Sequence, residues 1–480
     1  MYAKTIQDII YEKLQREIRI ERVIEQEQDR YISNLEIPSG IALNPAFREN
    51  LFVILVALAT KTPTIVVGRP GSSKTLAMAT VQANLSSASK NKKLTQMRFA
   101  DFFVVSFQCS KLTTAELIQR RWNFAVSFLE RLNQLPNEVA RAPNRRESVA
   151  PSPKNVVLAL DEVGLAEQSK FRPLKVLHQL LEDEKREIAF IGLRCFENEP
   201  IGLHQVVQPN KEQLEQTATK IISPSENKEI HPELSGKIPK IAAFYDAVMT
   251  DHTDSPFKFD FFGYRDFYAL SSYLKFCLDT RKVFNKELVI EAVMRNFGGL
   301  TKAQTESFLF PKISNYLLEN SEKLDLTEIW KRFSPLHLIR DNIQQTRSEE
   351  RPPTFEMRNI MLITESPFMW KILFDSGIAS LDFTEVIFGS RFAGDADSSL
   401  YLYRTIEKVR NIMSTGRLCI LLKLEKLYES LYDVLNQRYQ AVDGQKYCRI
   451  CLGGESVRCR IAKNFRCVVV VSSQEAHHNE

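Results

Sequence analysis

Solidly apolar runs alternate with amphipathic stretches along the first half of the chain, and this pattern predicts strands and helices in turn. A strand buried on both faces is apolar at nearly every position, because it shows no face to water. Runs of this kind are Thr64–Gly68, Phe102–Phe107, Val156–Leu160 and Ile188–Leu193, with Ile201–Val207 as one more candidate. Helical patterns separate them, so we predict an α/β fold with a doubly wound parallel sheet.

Helices replace this alternation in the middle of the chain. They are predicted at Ile238–Met249, Tyr264–Leu278, Lys286–Phe297 and Thr305–Leu318. The alternation then returns after the charged, proline-bearing stretch Ser348–Pro353, which we take as a domain boundary. The last segment is predicted to hold strands at Ile360–Thr364, Leu418–Leu424 and Phe465–Val471, helices at Leu400–Met413 and Leu427–Arg438, and a hairpin of Lys446–Leu452 with Val457–Ile461.

These patterns divide the chain into four predicted segments. Residues 1–43 form a helical linker whose apolar stripe is Ile6, Ile10, Leu14 and Ile18. Residues 44–222 form an α/β domain with an exposed, Pro-, Asn-, Arg- and Ser-rich insertion at 133–154. Residues 223–350 form the helical subdomain, and residues 351–480 form a second α/β subdomain.

Composition narrows the class of protein. Of 480 residues, 44% are hydrophobic and 26% are charged, which is typical of a globular protein. A net charge of +5 over this length is too small to favour nucleic acid as a partner. No stretch approaches the roughly 20 apolar residues of a membrane span, and the N-terminus lacks the pattern of a secretory signal. Eight cysteines, several within apolar strands, are typical of reduced thiols. We therefore expect a cytoplasmic protein without a transmembrane segment.

The stretch from Thr64 to Leu76 has the build of a phosphate-binding loop. An apolar strand leads into a turn rich in glycine and proline, and a helix-forming segment follows Lys74 and Thr75. Backbone amides of the turn and the positive end of the helix would hold a triphosphate. Lys74 would reach its β and γ phosphates, and the Thr75 hydroxyl would bind Mg²⁺.

The predicted ATP-binding residues are Gly68, Pro70, Gly71, Ser72, Ser73, Lys74, Thr75 and Leu76. Ser73 stands where the motif G-x-x-x-x-G-K-[ST] has its last glycine. The alternative is an ordinary strand-turn-helix corner that contains a lysine.

Two acids follow the apolar strand Val156–Leu160. The carboxyl edge of a parallel sheet is where ligands bind in open α/β folds. There Asp161 would hold Mg²⁺ and Glu162 would polarise the attacking water. A solvated acidic turn is the alternative, but the pair follows the phosphate loop in the order that a nucleotide hydrolase needs.

The second α/β segment lacks this chemistry. Glu365–Lys371 follows its first strand without a glycine that would let the backbone approach a phosphate. Lys423–Lys426 stands where the acid pair is expected. The cysteines of this segment include a single Cys-x-x-Cys, Cys448 to Cys451, and they lie in predicted strands. We therefore favour structural thiols over a zinc site.

Four runs carry a resemblance to a known family: Gly68–Thr75, Leu160–Glu167, Pro173–His178 and Leu427–Asn436. They resemble the mysterin-like giant AAA+ ATPases, which are ubiquitin ligases with a dynein-like ring in one chain. The likeness runs from about Asn44 to Val471. It implies an AAA+ large subdomain with Walker A and Walker B motifs, a helical lid, and a degenerate, incomplete AAA-like subdomain.

The resemblance assigns further roles. Phe262–Phe267 is similar to the start of a lid helix, so Arg265 would be the sensor-2 arginine that contacts the γ-phosphate; the alternative is a helix-surface Arg-Asp pair. Asn464–Arg466 is similar to a sensor-1 strand. In the first module the sensor-1 position should hold a polar pair that orients the attacking water, whereas this chain has Arg194 and Cys195. Candidates for an arginine finger are Arg391, Arg404, Arg410 and Arg417.

These inferences lead to three functional hypotheses. In the first, the chain is an ATP- and Mg²⁺-binding AAA+ module, with ATPase activity, of a mysterin-like ubiquitin ligase core. In the second, it is a nucleotide-gated scaffold that binds ATP with little hydrolysis, as the departure at Arg194 suggests. In the third, it is a truncated product without function. The expected partners are ATP or ADP and neighbouring AAA+ modules or other proteins.

Overall fold

The structure is a computed structural model of the 480-residue chain. It describes residues 20–86, 99–134, 154–169, 171–182, 187–195, 204–205, 209–223, 232–250, 261–280, 283–318, 324–347, 355–366, 368–390, 392–396, 398–452 and 455–477. The predicted stripe from Ile6 to Ile18 and most of the predicted insertion lie outside these residues. The chain divides into two compact units, Met1–Pro209 and Asn210–Glu480.

Helices and strands alternate in the first unit, as the apolar pattern predicts. Its helices are α1 (Ile20–Ile32), α2 (Pro45–Thr60), α3 (Lys74–Leu85), α4 (Ala115–Gln134), α5 (Val163–Glu167) and α6 (Lys175–Glu182). Its strands are β1 (Thr64–Gly68), β2 (Asp101–Gln108), β3 (Lys154–Asp161), β4 (Ala189–Cys195) and β5 (His204–Gln205). Local chemistry fixes where α2 begins, because the Asn44 side chain accepts a hydrogen bond from the Phe47 amide and Pro45 occupies the first turn.

The five strands form one parallel sheet in the order β2-β3-β4-β1-β5. Strand β4 lies between β1 and β3, so the carboxyl ends of these three strands are neighbours at one edge. The order of the strands along the sequence does not show that β4 lies between β1 and β3. This position means that the end of β4 separates the phosphate loop after β1 from the acid pair after β3.

Both faces of the sheet are covered, which confirms the doubly wound fold. On one face Val66, Val157 and Ile191 share a core with α2 and α3. On the other face Leu158 and Phe190 share a core with α4 and α6. Successive side chains of a strand point into cores on opposite faces of the sheet, so the central part of each strand is apolar at consecutive positions.

The second unit begins with a helical part. Its helices are α7 (Lys211–Ile222), α8 (Pro232–Ser235), α9 (Ile238–Thr250), α10 (Tyr264–Asp279), α11 (Lys286–Asn296), α12 (Lys302–Gln304), α13 (Leu326–Arg332) and α14 (Pro335–Arg347). Helix α12 continues through the π-helical Thr305–Leu309, the α-helical Phe310–Lys312 and the π-helical Ile313–Leu317. Helix α7 buries Leu214, Ala218 and Ile222 in the same core as α9 to α11, so it packs with these helices.

A second sheet follows the helices. Its strands are β6 (Ile360–Thr364), β7 (Thr384–Phe388), β8 (Leu418–Leu422) and β12 (Arg466–Ser472); β9 (Gln440–Val442), β10 (Gln445–Leu452) and β11 (Glu455–Ile461) form a separate antiparallel sheet. The short helices here are α15 (Ile372–Asp375), α16 (Ala393–Ala396), α18 (Glu425–Tyr428), α19 (Tyr432–Leu435) and α20 (Ser473–His477), and the long one is α17 (Ser399–Thr415).

The parallel order β6-β12-β8-β7 repeats the order β1-β4-β3-β2 of the first unit. Helix α14 packs Ile343 against Ile420 and Val468 on one face of this sheet. On the other face Val409 and Met413 of α17 share a core with Leu421. The second α/β part is therefore built on the same frame as the first.

The continuous helix predicted at Leu427–Arg438 is wrong. The chain forms only the two short helices α18 and α19 there, because the Ser430 carbonyl accepts a hydrogen bond from the Cys451 amide of β10. Gln437 then adopts a left-handed conformation that ends the segment. Among the described residues, no helix combines the length and apolar character that a membrane crossing requires.

Candidate functional site

The loop after β1 is turned by two residues in the left-handed conformation. They are Gly71, with φ of 86°, and Ser73, with φ of 62°. A glycine is expected at the position of Ser73 because this conformation costs a residue with a side chain about 1 to 2 kcal/mol. Ser73 adopts it nevertheless, and α3 starts at the next residue. Ser73 therefore supplies the left-handed backbone that the glycine of the motif would supply.

The ammonium of Lys74 is folded back into the loop. The residue is only 6% exposed, and its Nζ donates to the carbonyls of Gly68 and Arg69 at 2.5 and 3.0 Å. Nζ also lies 3.3 Å from the Ser72 hydroxyl, which in turn donates to the Arg69 carbonyl at 2.7 Å. A buried positive charge is thus held at the centre of a turn that precedes a helix N-terminus. This arrangement suits an anion.

The remaining predicted loop residues surround this charge. Gly68 is buried, Pro70 is exposed at the tip, Thr75 is half-buried in the first turn of α3, and Leu76 is 37% exposed. Gly68 to Thr75 thus lie in the turn and the first turn of α3, while Leu76 points its side chain partly to solvent.

Asn50 of α2 is a loop contact that the sequence reasoning missed. Its Nδ2 donates to the Ser72 carbonyl at 3.0 Å, and the side chain is fully buried. Its Oδ1 is buried and has no hydrogen-bond partner among the residues that the structure describes. The available signal was a single amide within the apolar face formed by Phe47, Leu51 and Ile54.

The acid pair lies at the end of β3, as predicted. Asp161 is its last residue and Glu162, with φ of 55°, turns the chain into α5. Both are buried, 7% and 6% exposed. The Asp161 carboxylate accepts from the Glu162 amide at 3.2 Å, and the Asp161 carbonyl accepts from the Cys109 amide at 2.8 Å. Two buried carboxylates therefore lie at the sheet edge where the phosphate loop begins.

Arg194 lies between the loop and the acid pair. In the sheet register Val67 is paired with Arg194 and Gly68 with Cys195. The Arg194 guanidinium forms a two-pronged ion pair with Glu167 of α5, at 2.9 and 2.8 Å. The sensor-1 position thus holds an arginine, Arg194, in place of the expected polar pair, and its guanidinium is ion-paired with the Glu167 carboxylate.

Arg265 lies in the second unit, in the first turn of α10. Its Nη1 donates to Asn436 Oδ1 and its Nη2 donates to the Tyr432 hydroxyl at 3.3 Å. The neighbouring Asp266 forms an ion pair with Arg358 at 2.6 Å. The start of α10 is therefore held against the second α/β part by hydrogen bonds and an ion pair. The sensor role of Arg265 stays a prediction.

The second α/β part reproduces the backbone of the acid pair without its side chains. The Gly389 amide donates to the Leu422 carbonyl at 2.7 Å, as Cys109 does to Asp161. Lys423 has φ of 54°, matching Glu162. Leu422 and Lys423 therefore occupy the places of the two acids, so this part has no carboxylate at either position.

Arg466 of the predicted sensor-1 segment and the cysteines of this part all lie in buried positions. Arg466 is 2% exposed and donates to the Thr346 hydroxyl at 3.0 Å and to the Met357 carbonyl. Cys448 faces Cys459 across the hairpin, and burial raises the pKa of the Cys448 thiol far above its ordinary value. Within the part of the chain that the structure describes, no three His, Cys, Asp or Glu side chains are grouped to hold a metal.

Comparison with known proteins decides the family. Models described as "RNF213 AAA domain" match residues 40–200 and residues 353–480, which together cover more than half of the chain. The chain belongs to the RNF213 AAA family. The predicted resemblance to mysterin-like AAA+ proteins is thereby confirmed, and with it the AAA+ fold class.

Named relatives of this RNF213-type chain are much longer. The E3 ubiquitin-protein ligase RNF213 of Homo sapiens is 30% identical over 468 residues, covering 93% of this chain and 8% of the relative. The E3 ubiquitin-protein ligase rnf213-beta of Danio rerio is 29% identical over 515 residues, covering 99% of this chain and 9% of the relative. The chain thus spans under a tenth of the length of these curated relatives.

A solved structure titled "Structure of Drosophila ORC bound to DNA" is also similar. It covers 78% of this chain and 80% of the other, at 14% identity and a TM-score of 0.35. This likeness is too weak to carry an argument about function.

Proposed function

We propose that the first unit binds ATP together with Mg²⁺ as the nucleotide-binding domain of an AAA+ module. The observation that carries the proposal is the buried Lys74 ammonium inside a left-handed turn, placed one strand away from the buried carboxylates of Asp161 and Glu162. Positive and negative groups at strand ends on the same edge of the sheet match a triphosphate that is bound together with a cation.

The donor set fits a magnesium ion. The Thr75 hydroxyl and the Asp161 carboxylate are both oxygen ligands, which Mg²⁺ prefers, and two protein ligands are a usual number because the ion keeps several waters. Magnesium neutralises charge on the phosphates when it is bound. Thr75 and Asp161 would hold it, while the loop amides and Lys74 orient the β and γ phosphates.

Hydrolysis would rest on Glu162. A buried carboxylate directly after β3 can accept a hydrogen bond from a water and raise the nucleophilicity of that water toward the γ-phosphate. We propose residues 44–222 as the nucleotide-binding part, residues 223–350 as its lid, with Arg265 as a contact that reports nucleotide state, and residues 351–480 as the degenerate subdomain. In a longer RNF213-like chain, this module would be part of a cytoplasmic ubiquitin-ligase core that works with neighbouring AAA+ modules or other proteins.

Binding is tested by titrating a fluorescent ATP analogue against wild type and Lys74→Ala. Loss of a charge-assisted contact to phosphate costs on the order of 1.5 to 3 kcal/mol, so the variant should bind at least tenfold more weakly. Lys61→Ala is a matched control, since the Lys61 ammonium donates to the Glu187 carbonyl, which precedes β4 and is not part of the phosphate loop. Equal affinity of wild type and Lys74→Ala would refute the site.

A second candidate is a nucleotide-gated scaffold that binds ATP and scarcely hydrolyses it. The ion pair of Arg194 with Glu167 favours it, because the end of β4 offers no amide or hydroxyl to orient a water. Phosphate release separates the candidates. Turnover well above that of Glu162→Gln supports an ATPase and rejects the scaffold, whereas turnover equal to that variant supports the scaffold.

A further inference from the structure

We propose that Asn50 is a positioning residue for the phosphate loop, because it holds one peptide unit of the loop in the orientation that a bound phosphate needs. The proposal rests on the nucleotide-binding function proposed above and adds a residue that lies outside the loop. The ligand class is a nucleotide with at least two phosphates, since the loop amides would contact phosphates that ATP and ADP share.

The contact between Asn50 and the loop fixes the direction of a backbone amide. Asn50 Nδ2 donates to the Ser72 carbonyl at 3.0 Å, and the Asn50 side chain is fully buried. The Ser72 carbonyl and the Ser73 amide belong to one trans peptide unit, so the two groups point in opposite directions. The Ser73 N–H therefore points away from Asn50, and α3 begins at the next residue. An amide at a helix N-terminus is a donor that a phosphate accepts from.

The same hydrogen bond opposes a relaxation that Ser73 would otherwise favour. Ser73 has φ of 62°, in the left-handed region that a residue with a side chain avoids. Rotation of the peptide unit between Ser72 and Ser73 would bring φ of Ser73 to a negative value, which is allowed for such a residue. The rotation would also break the bond to Asn50 and turn the Ser73 N–H away from a bound phosphate. Asn50 thus stabilises the strained form of the loop.

Asn50 is an unfavourable residue for folding alone. It lies within the apolar face of α2 that Phe47, Leu51 and Ile54 form. Its Oδ1 is buried and has no hydrogen-bond partner within the described part of the chain, and a buried acceptor without a partner destabilises the folded state. Leucine has nearly the same shape and no polar atom, so it would avoid this cost. An amide here is therefore better explained by its contact with the loop than by the stability of the core.

The test measures ATP and ADP affinity by calorimetry on the full chain in Mg²⁺. Asn50→Leu should weaken binding of both nucleotides by roughly tenfold, because the loop would then adopt mainly the relaxed form. Asn50→Asp should weaken binding further, since its carboxylate repels the Ser72 carbonyl and would accept from the Ser73 amide of the relaxed form. In a Ser73→Gly background the effect of Asn50→Leu should shrink to less than about threefold, because glycine adopts the left-handed conformation without this strain.

Stability separates this role from a structural one. Trp122 lies in the first unit, so its fluorescence in a Trp330→Phe and Trp370→Phe background reports urea unfolding of that unit without nucleotide. Asn50→Leu should leave the urea midpoint unchanged or raise it, because the variant removes a buried acceptor without a partner.

Asn84→Leu is the matched control. Asn84 is a buried amide of α3 whose Nδ2 donates to the Glu36 carbonyl at 3.0 Å and whose Oδ1 accepts from the Glu36 amide at 2.7 Å. It joins two parts of the backbone outside the phosphate loop. Asn84→Leu should therefore lower the urea midpoint and leave nucleotide affinity unchanged.

Three results would overturn the proposal while leaving the nucleotide site intact. They are unchanged ATP and ADP affinity in Asn50→Leu, an effect of Asn50→Leu that Ser73→Gly does not reduce, and an Asn50→Leu variant that fails to fold or unfolds at lower urea, since the amide would then serve the core. A wild type that bound neither nucleotide would instead overturn the proposed function, and this inference with it.

Discussion

The contact of Arg265 with Asn436 can be tested against its predicted sensor role, because one guanidinium cannot serve both partners at once. Nη1 and Nη2 are already engaged by Asn436 and the Tyr432 hydroxyl in the second unit. If Arg265 contacts the γ-phosphate in the ATP-bound state, it must leave Asn436. The energetic coupling between Arg265 and Asn436 should therefore depend on nucleotide.

The magnitude follows from the two hydrogen bonds. A bond from a charged donor contributes about 1.5 to 3 kcal/mol, and a half-buried one lies near the lower end. The bond to Tyr432 is long, at 3.3 Å, so most of the energy lies with Asn436. Asn436 also donates to the Tyr432 carbonyl at 2.9 Å, so a single substitution overstates the contact. A double-mutant cycle isolates it, and we expect a coupling energy of about 1 to 2 kcal/mol without nucleotide.

The assay is urea unfolding of wild type, Arg265→Ala, Asn436→Ala and the double variant, with and without a non-hydrolysable ATP analogue. Of the three tryptophans, Trp330 and Trp370 lie in the second unit. A Trp122→Phe background therefore makes fluorescence report that unit alone, which matters because two units need not unfold together.

Two results would contradict this reasoning. A coupling energy below about 0.5 kcal/mol without nucleotide would mean that the contact contributes little. A coupling energy that ATP leaves unchanged would refute the sensor role. Asn436→Asp gives an independent check, since a carboxylate should hold Arg265 more firmly and weaken ATP binding if Arg265 must move.

Three further predictions concern the second unit. Gly389→Ala should destabilise the second unit by about 3 kcal/mol or more in urea unfolding, because the new Cβ would lie 1.6 Å from the Lys423 carbonyl oxygen. Gly394→Ala is the control and should change stability little, because a Cβ there would have no atom within 4 Å. Arg466→Ala should cost roughly 3 kcal/mol or more in the same assay through its lost charge-assisted hydrogen bonds, and Arg466→Lys should restore only part. Because burial raises the pKa of the Cys448 thiol, this thiol should resist iodoacetamide at neutral pH in the native protein, as read by mass spectrometry. The stability that Cys448 contributes should be lost as pH rises above roughly 8.5, where the thiol ionises in the unfolded chain.

The sequence predicts the buried strands well and the edge of the second sheet poorly. Val156–Leu160 of β3 and all of β8 are apolar because both faces of these strands are covered. Strand β7 lies at the end of its sheet and mixes Glu385 with apolar residues, so its pattern is too weak to predict a strand. Helix α14 was missed for a similar reason, because it buries only Ile343 and Thr346.

Some residues of the candidate site can also be predicted from the sequence, and others cannot. Loop and acid pair follow strands along the chain, so their spacing predicts them. Asn50 and the pairing of Arg194 with Glu167 depend on which elements become neighbours, and that is decided by the insertion of β4 between β1 and β3. Likewise, no local pattern links Arg265 to Asn436, which lies 171 residues further along the chain.

The two α/β parts show which features of the site belong to the fold and which to the chemistry. Glu162 and Lys423 share a left-handed backbone, and in both places a strand ends and a short helix follows. Strained residues often mark functional sites. Here, however, the strain persists in the second part, where Leu422 and Lys423 replace both acids. The strain therefore serves the transition from strand to helix, and the case for catalysis at Glu162 depends on its carboxylate and not on its backbone.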